Sequence, residues 1–212
     1  MVDLIIAGAG GFGKEVAWIV ERINHLNPTW RILGFTDKDT SLNTFGGYPV
    51  LGPDDVIADY GEVCVACAIG SPTGRQKVSE AIRAINPRVQ FPVLVDPSAV
   101  AAESASLSEG VIVAANAVIS ADVSIGRLSF VNFGAIIGHD AVLEDYVSVF
   151  PQSSILGAVR LCSLAQVGAG SQLLQGITIG KNTTVAMGSV VMKDAPENCL
   201  LMGNPARPIM MK

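Results

Sequence analysis

Hydrophobic and polar residues follow two different patterns along the 212-residue chain, and the change comes near residue 95. In the first part, apolar residues at the spacing of one helical face predict helices over Lys14–Ile23 and Gly74–Ile85. Four short apolar runs predict strands: Leu4–Ala7, Arg31–Asp37, Val63–Ile69 and Val89–Val95. Strands that alternate with helices are typical of parallel βαβ units, so residues 1–95 are predicted to form an α/β, Rossmann-like half-sheet.

Every sixth residue from Leu107 to Val191 is Leu, Ile or Val, over fifteen consecutive positions. The residue two positions earlier is always Ala, Ser, Thr, Val or Ile. Neither a helix nor an alternating hairpin has a period of six. The period fits triangular coils of three short strands, stacked in parallel around an aliphatic core. Residues 96–194 are therefore predicted to form an all-β solenoid, and residues 195–212 an irregular tail.

Composition fits such a solenoid better than a membrane protein. Half of the residues are hydrophobic but only 6% are aromatic, and the mean hydropathy is +0.45. No run of 18 apolar residues could span a bilayer, and the N-terminal residues predict a strand, not a signal peptide. The net charge of −5 shows no excess of basic residues for binding nucleic acid or an anionic membrane. We expect a cytoplasmic protein without nucleic-acid binding or membrane insertion.

Cys64 and Cys67 form a C-x-x-C pattern, which can mark a redox or zinc site. They lie inside an apolar strand pattern, and no second pair follows at metal-ligand spacing. Buried thiols are therefore the favoured interpretation, and no metal is expected.

The segment Gly8-Ala9-Gly10-Gly11-Phe12-Gly13 matches G-x-G-x-x-G between a predicted strand and a predicted helix. Such glycines allow backbone N–H groups to approach a phosphate at the helix N-terminus. Asp37 follows the second strand, where a carboxylate can accept a hydrogen bond from a ribose or a base. Because the domain holds only half of a dinucleotide-binding sheet, a mononucleotide is favoured over NAD. A tight turn that binds nothing is the alternative.

His139 is one of two histidines in the chain, and the other, His25, lies in a polar stretch. His139 comes two residues after the inward Ile137, so it is predicted to point outward from a flat face of the solenoid. Asp140 follows directly, and a carboxylate beside an imidazole fixes its tautomer and favours its action as a general base. The alternative is an ordinary surface histidine.

Together these segments resemble the sialic-acid O-acetyltransferase and nucleotide-aminosugar N-acetyltransferase family of hexapeptide-repeat acyltransferases. The matching segments cover nearly the full length, in family order: Gly8–Gly13, Phe35–Asp39, Ala68–Pro72, Gly138–Asp140 and Gly203–Ala206. The resemblance implies a left-handed parallel β-helix and a homotrimer with active sites between neighbouring β-helices. It implies N-acetylation of a nucleotide-linked amino sugar, with acetyl-CoA as co-substrate and no metal.

The resemblance also implies roles for individual residues. His139 would accept a proton while the sugar amine attacks the thioester directly, and Asp140 would orient the imidazole. Residues implied for the sugar nucleotide are Gly8, Gly10, Gly11, Phe12, Gly13, Asp37, Lys38, Ala68, Ile69, Gly70 and Asn132. Residues implied for the acetyl-CoA arm are Ser148, Gly157, Ala169 and Met187.

Three positions depart from the family pattern and leave the acceptor open. Phe12 stands where relatives often have His, Ser148 stands where some have a second His, and Asp37-Lys38 replaces a frequent Asp-Asp pair. Three other functions remain as separate alternatives: O-acetylation of sialic acid or another sugar, a non-catalytic nucleotide-binding solenoid, and a nicotinamide-dependent dehydrogenase.

Overall fold

The computed structural model describes residues 1–210, and the chain divides into two compact units, Met1–Pro97 and Ser98–Lys212. The first unit is α/β and the second is built from stacked short strands, as the sequence predicts. Among the described residues, no helix has the length and apolar character needed to cross a membrane.

The first unit is a parallel sheet with one antiparallel hairpin at its edge. The elements are β1 (Val2–Ala7), α1 (Gly11–Leu26), β2 (Trp30–Thr36), β3 (Thr44–Phe45), β4 (Tyr48–Gly52), a 3-10 helix (Asp54–Asp59), β5 (Cys64–Cys67), α2 (Pro72–Ile85) and β6 (Leu94–Val95). The strand order of the sheet is β3-β4-β2-β1-β5, and β4, β2, β1 and β5 run parallel while β3 pairs antiparallel with β4. The last four residues of β1 and all of β5 are buried, as expected for central strands of a parallel sheet.

The prediction of a continuous strand over Val89–Val95 is wrong. Only Gln90 forms a bridge there, with Cys64, and a two-residue strand follows at Leu94–Val95. Pro92 lies between the two and has no N–H for a strand ladder, which explains the interruption.

The β3–β4 hairpin was not predicted from the sequence. It turns at Gly46 and Gly47, whose φ angles are +56° and +86°. Two positive φ angles in a row are typical of the type I′ turns that close two-residue hairpins, so the Gly-Gly pair was the available signal.

The second unit stacks its strands at a spacing of eighteen residues, so that Val118 pairs with Ile136 and Ile136 with Ser154. Its two-residue strands form three parallel sheets. The strands are Val100–Ala101, Ser106–Leu107, Ile112–Val113, Val118–Ile119, Ser124–Ile125, Phe130–Val131, Ile136–Ile137, Val142–Leu143, Ser148–Val149, Ser154–Ile155, Arg160–Leu161, Gln166–Val167, Gln172–Leu173, Thr178–Ile179, Thr184–Val185 and Val190–Val191.

The six-residue repeat builds the core of this unit. Of its fifteen aliphatic positions, all but Leu107, in the first coil, are buried. The residues two positions earlier are buried as well, except Ala105 in the first coil. The buried serine hydroxyls are satisfied: Ser129 donates to the Glu144 carbonyl, Ser153 to Gly168 and Ser171 to Ala186, at 2.9–3.0 Å. Burying these hydroxyls is therefore compatible with a dry aliphatic column.

The C-terminal segment is not irregular, which corrects the prediction for residues 195–212. Cys199–Gly203 and Ala206–Met210 form an antiparallel hairpin, and the first strand also pairs in parallel with Thr184–Val185. The last coil of a solenoid has an open strand edge, and this hairpin covers it. Residues 211–212 of the predicted tail lie outside the described residues.

Candidate functional site

In the first unit, the Gly-rich turn joins β1 to α1 and its glycines have two different roles. A Cβ at Gly13 would lie 2.2 Å from the Gly8 carbonyl oxygen, and one at Gly8 would lie 2.8 Å from Cδ1 of Ile69. Gly8 also has a φ of +108°. A Cβ at Gly10 or Gly11 would meet no described atom within 4 Å. Gly8 and Gly13 are thus required by packing, whereas Gly10 and Gly11 leave open space at the N-terminus of α1, where an anion is favoured.

Asp37 holds this turn in place from the end of β2. Its Oδ2 accepts a hydrogen bond from the Ala9 N–H at 2.9 Å, and its Oδ1 accepts one from the Asp39 N–H at 3.0 Å. The contact of Asp37 with a ribose or a base remains a prediction, but its structural role is visible: both oxygens already bind the backbone.

A cavity of about 260 Å³ opens beside the Gly-rich turn, at the carboxyl ends of the parallel strands. Its lining includes four of the predicted residues and four that sequence reasoning missed. The predicted ones are Gly8, Asp37, Lys38 and Ile69, and the others are Thr36, Asp54, Gly74 and Val78. The Gly52 carbonyl accepts a hydrogen bond from the Asp37 N–H, so the residues after β4 reach the same edge as those after β2. Asp54 follows β4, so a prediction of that strand from the sequence would also have put Asp54 at this edge of the sheet.

The Arg75 side chain, on α2, holds the predicted Ala68–Gly70 segment that follows β5. Its side chain is 2% exposed, and Nη1 donates to the Ile69 carbonyl at 2.7 Å and to the Gly70 carbonyl at 3.3 Å. Ala68 is buried and its N–H donates to the Ala7 carbonyl, which extends the pairing of β5 with β1. Sequence reasoning missed Arg75 because its place on α2 looks like that of a solvated helix residue.

In the second unit, His139 lies in the turn between strands Ile136–Ile137 and Val142–Leu143. It is therefore at a corner of the β-helix, which corrects the prediction of a flat face. Asp140 has a φ of +59°, the left-handed conformation that makes the corner. The Asp140 Oδ2 lies 2.7 Å from Nδ1 of His139, and the two side chains are 68% and 60% exposed.

This pairing determines which nitrogen of His139 is available. With Nδ1 bound to the carboxylate, Nδ1 carries the hydrogen of the neutral imidazole and Nε2 is the basic nitrogen. The ring lies against Gly157, eighteen residues further on: a Cβ there would be 2.5 Å from Nε2 and 2.6 Å from Cε1. The Gly157 N–H has no hydrogen-bond acceptor within residues 1–210, so it can serve a ligand beside the imidazole.

The other predicted residues of this unit lie in three places: the corner of His139, the neighbouring corner, and, for Ser148 alone, a strand. Gly157 shares the corner of His139, whereas Asn132, Ala169 and Met187 lie at the corner on the other side of the Ile136–Ile137 sheet. Met187 is 79% exposed, and the buried Asn132 side chain accepts a hydrogen bond from the Phe133 N–H at 2.7 Å.

Ser148 is the predicted residue that the structure does not support. It lies in a strand and is fully buried, so it offers no surface to acetyl-CoA. The departure at Ser148 therefore falls at a buried position in this chain.

The C-x-x-C pattern lies in the buried strand β5, and all four cysteines are free. Burial is the main cause that raises the pKa of the Cys67 thiol to about 12. Within residues 1–210, no group of three or more His, Cys, Asp or Glu side chains could hold a metal ion.

Both units are similar to parts of known proteins. The family described as the PglD N-terminal domain matches residues 3–82. The perosamine N-acetyltransferase of Caulobacter crescentus, solved with CoA and GDP-perosamine as a variant in which one histidine is replaced by asparagine, is 31% identical. The match covers 99% of this chain and 97% of that one, with a TM-score of 0.89.

Two further comparisons agree. The acetyltransferase domain of PglB from Neisseria gonorrhoeae, solved with acetyl coenzyme A, is 29% identical over 98% of each chain, with a TM-score of 0.89. The serine acetyltransferase of Synechococcus elongatus is 33% identical over 84 residues, which is 36% of this chain and 34% of that protein. The match thus spans about a third of that curated relative.

Proposed function

The chain belongs to the family of hexapeptide-repeat acetyltransferases that includes the perosamine N-acetyltransferase, and we propose that it acetylates the amine of a nucleotide-linked amino sugar. It is an acetyltransferase, its co-substrate is acetyl-CoA, and its β-helix has the left-handed form of the family. The proposal concerns the acceptor, the residues that act on it and the assembly.

The observation that carries the proposal is the pairing of His139 with Asp140. The carboxylate engages Nδ1 at 2.7 Å, and Nε2 remains at an exposed corner as a proton acceptor. The proposed step begins when the sugar amine attacks the thioester carbonyl carbon and gives a proton to Nε2. A general base of this kind contributes about 10²–10⁴-fold to a rate.

The remaining steps involve the Gly157 backbone, next to the imidazole, and His139 itself. The Gly157 N–H donates to the oxyanion of the tetrahedral intermediate, where charge develops. The intermediate then collapses: the C–S bond breaks, the amide remains on the sugar, and the CoA thiolate leaves. The proton held by His139 passes to the thiolate, which restores the neutral imidazole.

The nucleotide of the acceptor is assigned to the first unit. The open backbone at Gly10 and Gly11, at the start of α1, supports a phosphate site. The neighbouring cavity, with Lys38 and Ile69 in its lining, supports a site for the nucleoside. The solved Caulobacter relative was complexed with GDP-perosamine, a ligand of the proposed class.

We propose the homotrimer that the family resemblance implies, and exposed apolar side chains support an interface between copies. One sheet and the corner of His139 carry six of them, between 36% and 62% exposed: Val100, Val118, Ile136, Leu156, Leu174 and Met192. An apolar strip of this kind favours association. Asn132, Ala169 and Met187 lie one corner away from His139 in the same chain, so in the assembly they would complete the site of a neighbouring copy.

Two alternatives are less well supported. O-acetylation of a free sugar such as sialic acid would leave the Gly-rich turn and its cavity without a use. A non-catalytic nucleotide-binding solenoid would leave the His139–Asp140 pair without one. The four free cysteines favour the cytoplasm, where sugar nucleotides for polysaccharide or glycan biosynthesis would be modified.

Thermal unfolding with a panel of sugar nucleotides in the presence of CoA tests the acceptor class. A ligand that binds the native state raises the melting temperature, and the rise grows with the logarithm of the ligand concentration relative to Kd, so nucleotide-linked amino sugars should stabilise the protein. Stabilisation by free sialic acid, with no effect of any sugar nucleotide, would contradict the proposal.

A further inference from the structure

Asp54 presents an open carboxylate oxygen in the cavity of the first unit. Its Oδ1 accepts a hydrogen bond from the hydroxyl of Thr36 at 2.5 Å, and Thr36 is fully buried at the end of β2. Its Oδ2 accepts no hydrogen bond within residues 1–210. Asp37, the other carboxylate in the lining, already binds backbone N–H groups through both oxygens. Of the two carboxylates in this lining, Asp54 is thus the one that is held in place and keeps an oxygen without a hydrogen bond in the described part of the chain.

The rest of the lining suits a flat aromatic ligand. Ile69 and Val78 supply apolar side chains, and Gly8 and Gly74 bring backbone close to the space without a side chain. The cavity adjoins the Gly-rich turn, where the phosphates are assigned. In parallel α/β sheets, a nucleotide lies across the carboxyl ends of the strands, with its nucleoside away from the helix N-terminus that binds phosphate.

We infer that Asp54 is the residue that reads the base of the sugar nucleotide and that it selects guanine. The inference rests on the proposed function, because it assumes that a nucleotide occupies this cavity. Guanine presents two adjacent donors, N1–H and the N2 amino group. The open Oδ2 of Asp54 can accept from one, and the second lone pair of Oδ1, beside the Thr36 hydroxyl, can accept from the other in a charge-assisted pair.

The same carboxylate disfavours the other bases. Uracil and thymine offer one N3–H flanked by two carbonyl oxygens, which an anionic oxygen repels. Adenine and cytosine place an unprotonated ring nitrogen beside their amino group, so one carboxylate oxygen would face an acceptor. Selectivity of this kind comes from the repelled alternatives as much as from the favoured pair.

The test is calorimetric binding of GDP, UDP and dTDP to the full chain, to Asp54→Asn and to Asp55→Asn. Asp55 is the next residue and is exposed, so its variant has the same change of charge outside the cavity lining. We expect the wild-type protein to bind GDP most tightly and Asp54→Asn to lose at least about 10-fold in GDP affinity, since its amide opposes an N–H donor. Asp55→Asn should bind GDP like the wild type.

Several results would overturn the inference: equal or tighter binding of UDP or dTDP by the wild type, no binding of any of the three, or equal GDP affinity of the two variants. The order of GDP, UDP and dTDP affinities is measured on the wild type, so it does not depend on whether a variant folds. Melting temperatures check that both variants are folded. Acetylation of a uridine-linked amino sugar would leave the proposed function intact and remove the guanine assignment. Tight GDP binding without acetyl transfer to any amino sugar would leave the guanine assignment intact and contradict the proposed function.

Discussion

The imidazole of His139 lies directly against Gly157, the residue at the same corner of the next coil. Gly157 has no side chain, and a Cβ there would lie 2.5 Å from Nε2. The six-residue repeat brings these residues together because positions eighteen apart stack on one another, as Ile137 and Ile155 do. Asp140 holds one side of the ring at Nδ1, and Gly157 leaves the space that the ring occupies.

Replacing Gly157 by Ala should therefore displace the imidazole without unfolding the β-helix. A displacement of about 1 Å at a catalytic group costs about 10²-fold, so we expect kcat to fall by ~10²-fold. Gly61→Ala is the matched control, because a Cβ at Gly61 would meet no described atom within 4 Å. Steady-state kinetics should separate the two variants, and wild-type kcat in Gly157→Ala would refute the packing role of Gly157.

The glycines of the β1–α1 turn should differ in their effect on stability. Gly13→Ala places a Cβ 2.2 Å from the Gly8 carbonyl oxygen and 3.2 Å from the Phe35 ring, so overpacking should cost about 1–3 kcal/mol. Gly11→Ala has open space and adds a good helix former. Melting temperatures should fall for Gly13→Ala alone, by about 2–4 °C per kcal/mol. Equal melting temperatures would contradict this assignment.

A charge in the apolar strip should break the proposed trimer. Ile136→Lys puts an ammonium group where an interface would bury an aliphatic side chain, and burying an unpaired charge is costly. Ser124→Lys is the control, since Ser124 is an exposed strand position on another sheet. Light scattering after size exclusion should give a trimer for the wild type and the control, and a smaller species for Ile136→Lys. A monomeric wild type would remove the trimer from the account.

The thiols of Cys64 and Cys67 should be unreactive in the native protein. The raised pKa of Cys67, about 12, means that this group remains the neutral thiol at pH 8, and both side chains are buried. A colorimetric thiol reagent at pH 8 should react early only with the partly exposed Cys162, and Cys162→Ser should abolish that early phase. All four cysteines should react in denaturant. Rapid native labelling of Cys67 would instead support a redox site.

The solenoid could be predicted because its signal repeats. Each inward position from Val113 to Val191 requires an aliphatic residue for the same reason, so fourteen agreeing positions outweigh any local ambiguity. The C-terminal hairpin lacks such repetition: Gly203-Asn204-Pro205-Ala206 indicates a turn, but the pairing partner of Cys199–Gly203 is a strand edge that exists only in the folded chain.

The site could be predicted only in part, for a related reason. His139 and Asp140 are adjacent in sequence, so their pairing follows from the chain itself, whereas their place at a corner depends on which residue of the hexapeptide adopts a positive φ. Asp54 acts through a contact with Thr36, eighteen residues away, and Arg75 reaches back from α2 to the Ile69 and Gly70 carbonyls. Neither contact has a sequence motif that announces it. Ser148 has the same limitation, since the local sequence does not indicate that this residue is buried.

The most direct test of the account is acetyl transfer by the wild type and by His139→Asn. Both would be given acetyl-CoA and a panel of nucleotide-linked amino sugars that includes GDP-perosamine. Release of the CoA thiol would be followed with time, and the N-acetylated product identified by mass spectrometry. We expect turnover by the wild type and a kcat lower by about 10²–10⁴-fold for His139→Asn, with an unchanged melting temperature. Wild-type turnover in His139→Asn, or no acetylated amine with any acceptor, would contradict it.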